Sequence, residues 1–260
     1  MKRFSWIMGL ILCVVCTVQA KDRVIERPPF LAWSSSNIEV DKIVMSDTVT
    51  TVYIKAFYRP KYWIKIASGS FLKDEKGALY PIRKGVGITL DKEFWMPESG
   101  EAEFQLTFPP IPQNVTRLDF SEGDFEGAYK IWGIQLDKKS FGKFKLPKDV
   151  IVPKADHKMT LPDPIVKYDK AILKGRILDY QKGMPDKGSL YYQDVIREGA
   201  QEGKIRIQDD GTFYHEMNVF MITPCTIMSP FGTIEYLLAP GETTSIVINL
   251  RENARKQSHL

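Results

Sequence analysis

The most conspicuous chemical motif in the chain is Cys13-Val14-Val15-Cys16, which has the spacing of a thioredoxin-type dithiol. Such a pair exchanges disulfides only when a helix N-terminus in a folded βα unit lowers the thiol pKa, and no strand or glycine turn precedes this one. It lies instead in the apolar core of an N-terminal leader. Lys2 and Arg3 open that leader, Ile7 to Val15 form its apolar stretch, and Val18-Gln19-Ala20 supplies the small residues of a cleavage site. The two cysteines therefore read as apolar filler of an export signal. A lipoprotein anchor on Cys16 is the lesser alternative, because Val15 is a poor fit for the small residue that such a signal needs. With residues 1–20 removed, Cys225 is the one remaining thiol, so no disulfide can form within residues 21–260. It sits in the apolar run Ile222 to Ile227, where a buried, inert thiol is expected.

The other catalytic vocabularies are thin. His157, His215 and His259 are far apart, and Tyr214-His215-Glu216-Met217 lacks the second histidine of a zinc helix. The loop Ser121-Glu122-Gly123-Asp124-Phe125-Glu126-Gly127 holds acidic oxygens but not the spacing of a calcium loop, so it reads as a solvated turn. Glu101 and Glu103 alternate on a strand, which places them on an exposed face rather than as an acid and base pair. Gly85-Val86-Gly87 has no helix behind it to cradle a phosphate. The expectation is a protein that is not an enzyme, with no cofactor and no metal. Aromatic residues remain as the group with binding potential: Tyr53, Phe57, Tyr58, Tyr62 and Trp63 fall on two neighbouring strands. They serve either as inter-sheet packing or as a flat face for a glycan, a peptide or a protein. Tyr191-Tyr192 forms a second pair, Trp132 reads as core, and Trp95 is undecided.

The elements that must position these residues are strands. Alternation in Val52-Ile54-Ala56 and in Ala102-Phe104-Leu106-Phe108 gives two half-buried strands, with others expected at Tyr62–Ala67, Gly87–Leu90, Val115–Phe120 and Tyr129–Leu136. Arg59-Pro60, Asp74-Glu75-Lys76-Gly77, Pro97 to Gly100, Phe108 to Pro112 and Glu122-Gly123-Asp124 are the turns between them. Strands at this spacing predict an immunoglobulin-like β-sandwich over 28–138. A proline- and lysine-rich stretch at 139–166, flanked by Asp137 and holding Phe141 and Phe144, predicts a semi-rigid linker. A second antiparallel sandwich is expected over 167–252, from Ala171–Leu178, Ile205–Ile207, Thr212–Met217, Cys225–Met228, Thr233–Leu238 and Thr244–Leu250. Gln208-Asp209-Asp210-Gly211 is read there as a type I′ turn, and 253–260 as a polar tail, with Arg251 to Leu260 either loose or the start of a helix.

The order of several short motifs resembles the N-terminal half of Bacteroidota TlpA-like thiol-disulfide oxidoreductases. They are Tyr58-Arg59-Pro60-Lys61-Tyr62-Trp63-Ile64-Lys65-Ile66-Ala67, Tyr80-Pro81-Ile82-Arg83, Lys92 to Glu101 and Lys130-Ile131-Trp132-Gly133-Ile134. Asp210-Gly211-Thr212-Phe213 and Leu238-Ala239-Pro240-Gly241-Glu242 are similar to the accessory β domain that precedes the thioredoxin domain of that family. The resemblance implies a non-catalytic exported scaffold or protein-interaction module, with a thioredoxin-fold protein or another periplasmic protein as partner. A truncated piece of a working oxidoreductase is the other reading it allows. The family's catalytic cysteine pair has no counterpart in residues 21–260, so no catalytic residue carries over. Lys2 and Arg3 account for two of the formal +4 charges, and the +2 that remains argues against a nucleic-acid partner. No stretch beyond the leader is long and apolar enough to span a membrane, and the expected location is the periplasm or the exterior of the cell envelope.

Overall fold

The computed structural model describes residues 22–125, 127–137, 146–148, 150, 158, 166–193 and 199–260. Cys13, Cys16 and the rest of the leader lie outside them, as do Glu126, Phe141, Phe144, His157 and most of the expected linker. Among the described residues the chain is all-β apart from one short helix, and its strands, numbered in chain order, form two sheet pairs. In the first pair, one sheet runs in spatial order β1 (Arg23–Glu26), β3 (Ile38–Met45), β4 (Thr50–Phe57), β10 (Glu101–Phe108) and β8 (Lys84–Val86). Its partner runs β2 (Ala32–Trp33), β12 (Lys130–Gln135), β11 (Arg117–Ser121), β6 (Phe71–Asp74) and β7 (Leu79–Pro81). A two-stranded ribbon of β5 (Trp63–Ile64) and β9 (Phe94–Trp95) sits beside them. The second pair is β16 (Thr212–Val219), β13 (Asp169–Leu178), β19 (Thr243–Asn249) against β15 (Ala200–Arg206), β14 (Lys187–Gln193), β17 (Thr223–Ser229), β18 (Gly232–Leu238).

Alternation builds the first core. Val52, Ile54 and Ala56 point inward from β4, and Phe104, Leu106 and Phe108 answer them from β10, all buried. The first sandwich begins at β1, before residue 28, because Arg23 reaches across the fold. Its guanidinium donates to the carbonyls of Gln113, Val115 and Leu136 at 2.8, 2.9 and 2.6 Å. Two expected strands are displaced. Residues 62–67 pair only at Trp63–Ile64, and the strand near 87 is Lys84–Val86, ended by Gly87 at φ 84°. Arg59-Pro60-Lys61 explains the first difference: Lys61 turns through a left-handed φ of 63°, leaving only two residues extended.

At the turn Asp74-Glu75-Lys76-Gly77 one carboxylate does most of the holding. Asp74 accepts the Lys76 and Ala78 N–H groups at 2.9 Å each and the Tyr80 hydroxyl at 3.0 Å. Burial works against its ionisation, but the bonds from Ala78, Tyr80, Lys76 and Gly77 outweigh it and hold the carboxyl below its usual range. A carboxyl depressed in the folded state contributes stability that is present above its unfolded pKa of about 3.9 and lost as pH falls through the folded value. The melting temperature should therefore fall as pH is lowered below about 4. Asp74→Asn should flatten that fall while lowering the melting temperature at neutral pH; an unchanged acid slope would remove Asp74 as a cause.

In the second sandwich, β13 pairs with β16 antiparallel but with β19 parallel, so the sheet is mixed rather than purely antiparallel. Gly175 lets the ring of Phe213 lie flat on its cross-strand partner, where a Cβ would stand 1.8 Å from the Phe213 ring. The turn after Ile207 is not type I′. Gly211 alone has a positive φ, at 81°, and its N–H donates to the Gln208 carbonyl at 2.8 Å. Asp209 and Asp210 thus form an ordinary turn with a glycine bulge, and the chain passes there from the β15 sheet to the β16 sheet.

The polar tail ends in structure. Leu250–Gln257 form helix α1, with the Asn249 side chain accepting N–H bonds from Arg251 and Glu252 at 3.1 and 3.4 Å. Its two buried residues, Leu250 and Ala254, are too few to register as a helical period. Beyond it, Ser258 Oγ and the His259 N–H donate to the two oxygens of buried Glu39 on β3, both at 2.8 Å, and the His259 ring stacks on Phe57 at 4.5 Å. From the other side Leu31, Ala32 and Trp132 of the first sandwich are buried in the core of the second.

Candidate functional site

The β5–β9 ribbon has a register that leaves little choice about orientation. Trp63 faces Trp95 and Ile64 faces Phe94. Ile64 is buried and Phe94 packs toward Phe104, so both tryptophans point outward, 44% and 60% exposed, side by side on one face. The ribbon is pinned at its mouth: the Lys61 N–H donates to the Met96 carbonyl at 3.2 Å and the Met96 N–H to the Tyr62 carbonyl at 2.8 Å. Tyr62, 52% exposed, meets Tyr58 edge to face at 6.1 Å, and the Arg59 guanidinium lies 5.8 Å from its ring centre.

Beside the ribbon runs a groove of about 420 Å³, whose walls are Tyr58, Tyr62, Trp63, Phe125 and Tyr129 and whose polar groups are Asn37, Lys65 and Glu122. Glu122 is buried and spends one oxygen on the Ala67 N–H at 2.9 Å and the other on the Tyr129 N–H at 3.0 Å. Burial raises its pKa, an effect these two bonds oppose. It acts as a strut between the groove's two sides, and the acidic loop's other described carboxylate, Asp124, pairs with Lys130 at 2.9 Å. At the Asn37 end, the amide of that residue donates to the Tyr129 hydroxyl at 3.5 Å. Rings in the wall, hydroxyls and an amide at one end and an ammonium at the edge suit stacking and hydrogen bonding to a ligand.

The five aromatic residues singled out from the sequence do not form one face. Tyr58, Tyr62 and Trp63 come together here. Tyr53 lies half-buried on the outer face of β4 with Lys42 Nζ 4.2 Å from its ring centre, and Phe57 is covered by His259. Trp95, Phe125, Tyr129 and Asn37 complete the groove and its ribbon; the sequence left Trp95 undecided, placed Phe125 in the acidic loop and Tyr129 at a strand start, and assigned none of the four to a binding face. The chain neighbour of Trp95, Phe94, is the usable signal, because an alternating pair opposite Trp63-Ile64 predicts a two-tryptophan face.

Cys225 is far from this groove, buried in the second core. Its thiol donates to the Thr223 carbonyl at 3.4 Å, and burial pushes its pKa up to about 11. A thiol reagent at about pH 8 should accordingly label Cys225 only after denaturation. Labelling of the folded protein at the rate of a free peptide thiol would show that the second core opens.

No protein-family model and no curated protein matches the chain. Among solved structures, a pullulanase type I from Bacillus subtilis str. 168 complexed with maltose is similar at 9% identity and a TM-score of 0.28, covering 77% of this chain. A pullulanase from Anoxybacillus sp. LM18-11 complexed with maltotriose is similar at 11% identity and 0.27, covering 73%. The Bacillus anthracis TIE protein is similar at 9% identity and 0.22, covering 88% of this chain and 39% of its own. The chain spans about a quarter of the length of either pullulanase, 24% in each case.

Proposed function

We propose that this chain is an exported binding module, working without a catalytic centre of its own, whose aromatic end takes a glycan. The observation that supports this reading is the pairing of Trp63 with Trp95 on the outer face of a pinned ribbon, next to a groove with Asn37, Tyr129 and Lys65. Flat rings stack on the apolar C–H faces of a sugar, and the amide, hydroxyl and ammonium groups meet its hydroxyls. Rigid rings lose little entropy on binding, which suits a ligand held by few contacts.

A second reading rests on the TlpA-like resemblance: the same rings dock a protein, such as a thioredoxin-fold partner in the periplasm. Large exposed aromatics are the side chains that dominate protein contacts as well. A panel of immobilised oligosaccharides and polysaccharides, probed with the folded chain, separates the two. Retention on a glycan that free sugar competes away supports the first, whereas no retention on any glycan together with capture of a periplasmic protein through Trp95 supports the second.

A further inference from the structure

Another cavity lies away from the aromatic end, where helix α1 faces the first sandwich. It measures about 340 Å³, with Pro28, Phe30 and Val40 on one side and Ala254 on the other, and its lining is largely apolar. Three guanidinium groups, those of Arg27, Arg251 and Arg255, also line it. Two of them are engaged: Arg251 grips Asp179 through Nε and a terminal nitrogen at 2.6 and 3.1 Å, and Arg255 Nε pairs with Glu252 at 2.8 Å. Glu39, the one acidic side chain in the lining, has both oxygens occupied by Ser258 and His259, and Leu260 with its terminal carboxylate also lines the cavity.

Arg27 is different. Among the described residues its exposed guanidinium makes no hydrogen bond or ion pair. Its backbone sits at a left-handed φ of 44°, held by an N–H bond to the Asp41 carbonyl at 2.7 Å. A side chain with a Cβ is strained in that region, a strain often met where a side chain must be aimed.

We propose that this slot binds an amphipathic monocarboxylate, with an unbranched alkyl chain between Pro28, Val40 and Ala254 and the carboxylate on Arg27. The apolar walls supply no partner for a polar tail, so the chain must be hydrocarbon. The Arg27 guanidinium repels a cationic head, and a neutral head would forgo the two-pronged pairing that a guanidinium makes with a carboxylate. The ligand would bridge β3 and α1 and so stabilise the junction of the two sandwiches.

Titration calorimetry of the full chain with hexanoate, octanoate and decanoate, each below its aggregation threshold, tests this. Affinity should tighten roughly fourfold for each added methylene. The matching alcohols should bind about tenfold more weakly, and the matching alkylamines not at all. Arg27→Gly, which relaxes the backbone strain, should bring the carboxylates down to the level of the alcohols. A decanoate carrying a photoreactive diazirine should label residues 27–30 and 254–258, a result that does not depend on any variant folding. Equal binding of carboxylate and alcohol, no chain-length dependence, no binding heat, or labelling confined to the aromatic groove would each overturn the proposal.

Discussion

Heating the protein is expected to give one calorimetric transition in which both sandwiches melt together, and Trp132→Ala is expected to split it into two. Trp132 belongs by sequence to β12 of the first sandwich, yet its side chain is buried with Leu31 and Ala32 in the second core, in the same cluster as Phe231 and Leu250. The Leu31 N–H donates to the Trp132 carbonyl at 2.9 Å, so the β2–β12 edge presents these residues as one block. Truncating a buried tryptophan costs about 3–5 kcal/mol, a large share of the roughly 5–15 kcal/mol that hold a domain folded. Here the loss falls on the junction, while the first core of Val52, Ile54, Phe104 and Leu106 remains intact. The second sandwich should then melt first, by about 10 °C or more, with the first following near its original temperature. Two transitions in the unaltered protein, or one unshifted transition in the variant, would show that the sandwiches are independent.

Loss of both ribbon tryptophans should abolish ligand retention and leave the fold untouched. A tryptophan that buries roughly 100 Å² against a ligand contributes about 2–3 kcal/mol at the usual area coefficient. Each of Trp63→Ala and Trp95→Ala should thus weaken binding by about 30- to 100-fold, and the double variant should fall below detection. Because both rings are about half exposed or more, at 44% and 60%, the melting temperature should move little. Tyr53→Ala is the control on the same sandwich, since that ring lies under Lys42 on another surface. If Tyr53→Ala weakens binding as much as Trp95→Ala does, the binding face is the outer surface of β4 and not the ribbon. Retention unchanged in the double variant would remove the aromatic end from the proposed function.

Much of the scaffold was legible as pattern. A period of two in Val52 to Ala56, Ala102 to Phe108 and Ala171 to Leu178 specifies a buried and an exposed face for each strand, and those strands stand where the period places them. Elements of two residues carry no period, which is why β5 is overextended to Tyr62–Ala67 in the sequence, β9 is not expected at all, and Trp95 stays undecided. Helix α1 was legible only as one of two alternatives for Arg251 to Leu260, because its apolar contact rests on Leu250 and Ala254 alone and its start on the cap from Asn249. The expected hairpin at Asp209-Asp210-Gly211 forms, with Ile207 bridging Phe213 antiparallel and the Gln208 N–H on the Thr212 carbonyl, but the type I′ reading assumed a two-residue loop where the chain uses three residues with Gly211 alone left-handed.

The sequence by itself determined the strand content, the faces of the long strands, and the presence of one thiol in residues 21–260, because these depend on local alternation and on counting. Which rings stand together was decided only by the tertiary structure. Tyr53, Phe57 and Trp63 are close in the chain and part company in space: one under Lys42, one beneath His259, one opposite Trp95. The partners that separate them come from β3, from the chain after α1 and from β9, segments brought near only when the sheets pack. Local pattern can orient a side chain inward or outward, but a surface is assembled from segments distant in sequence, and their pairing is a property of the whole fold.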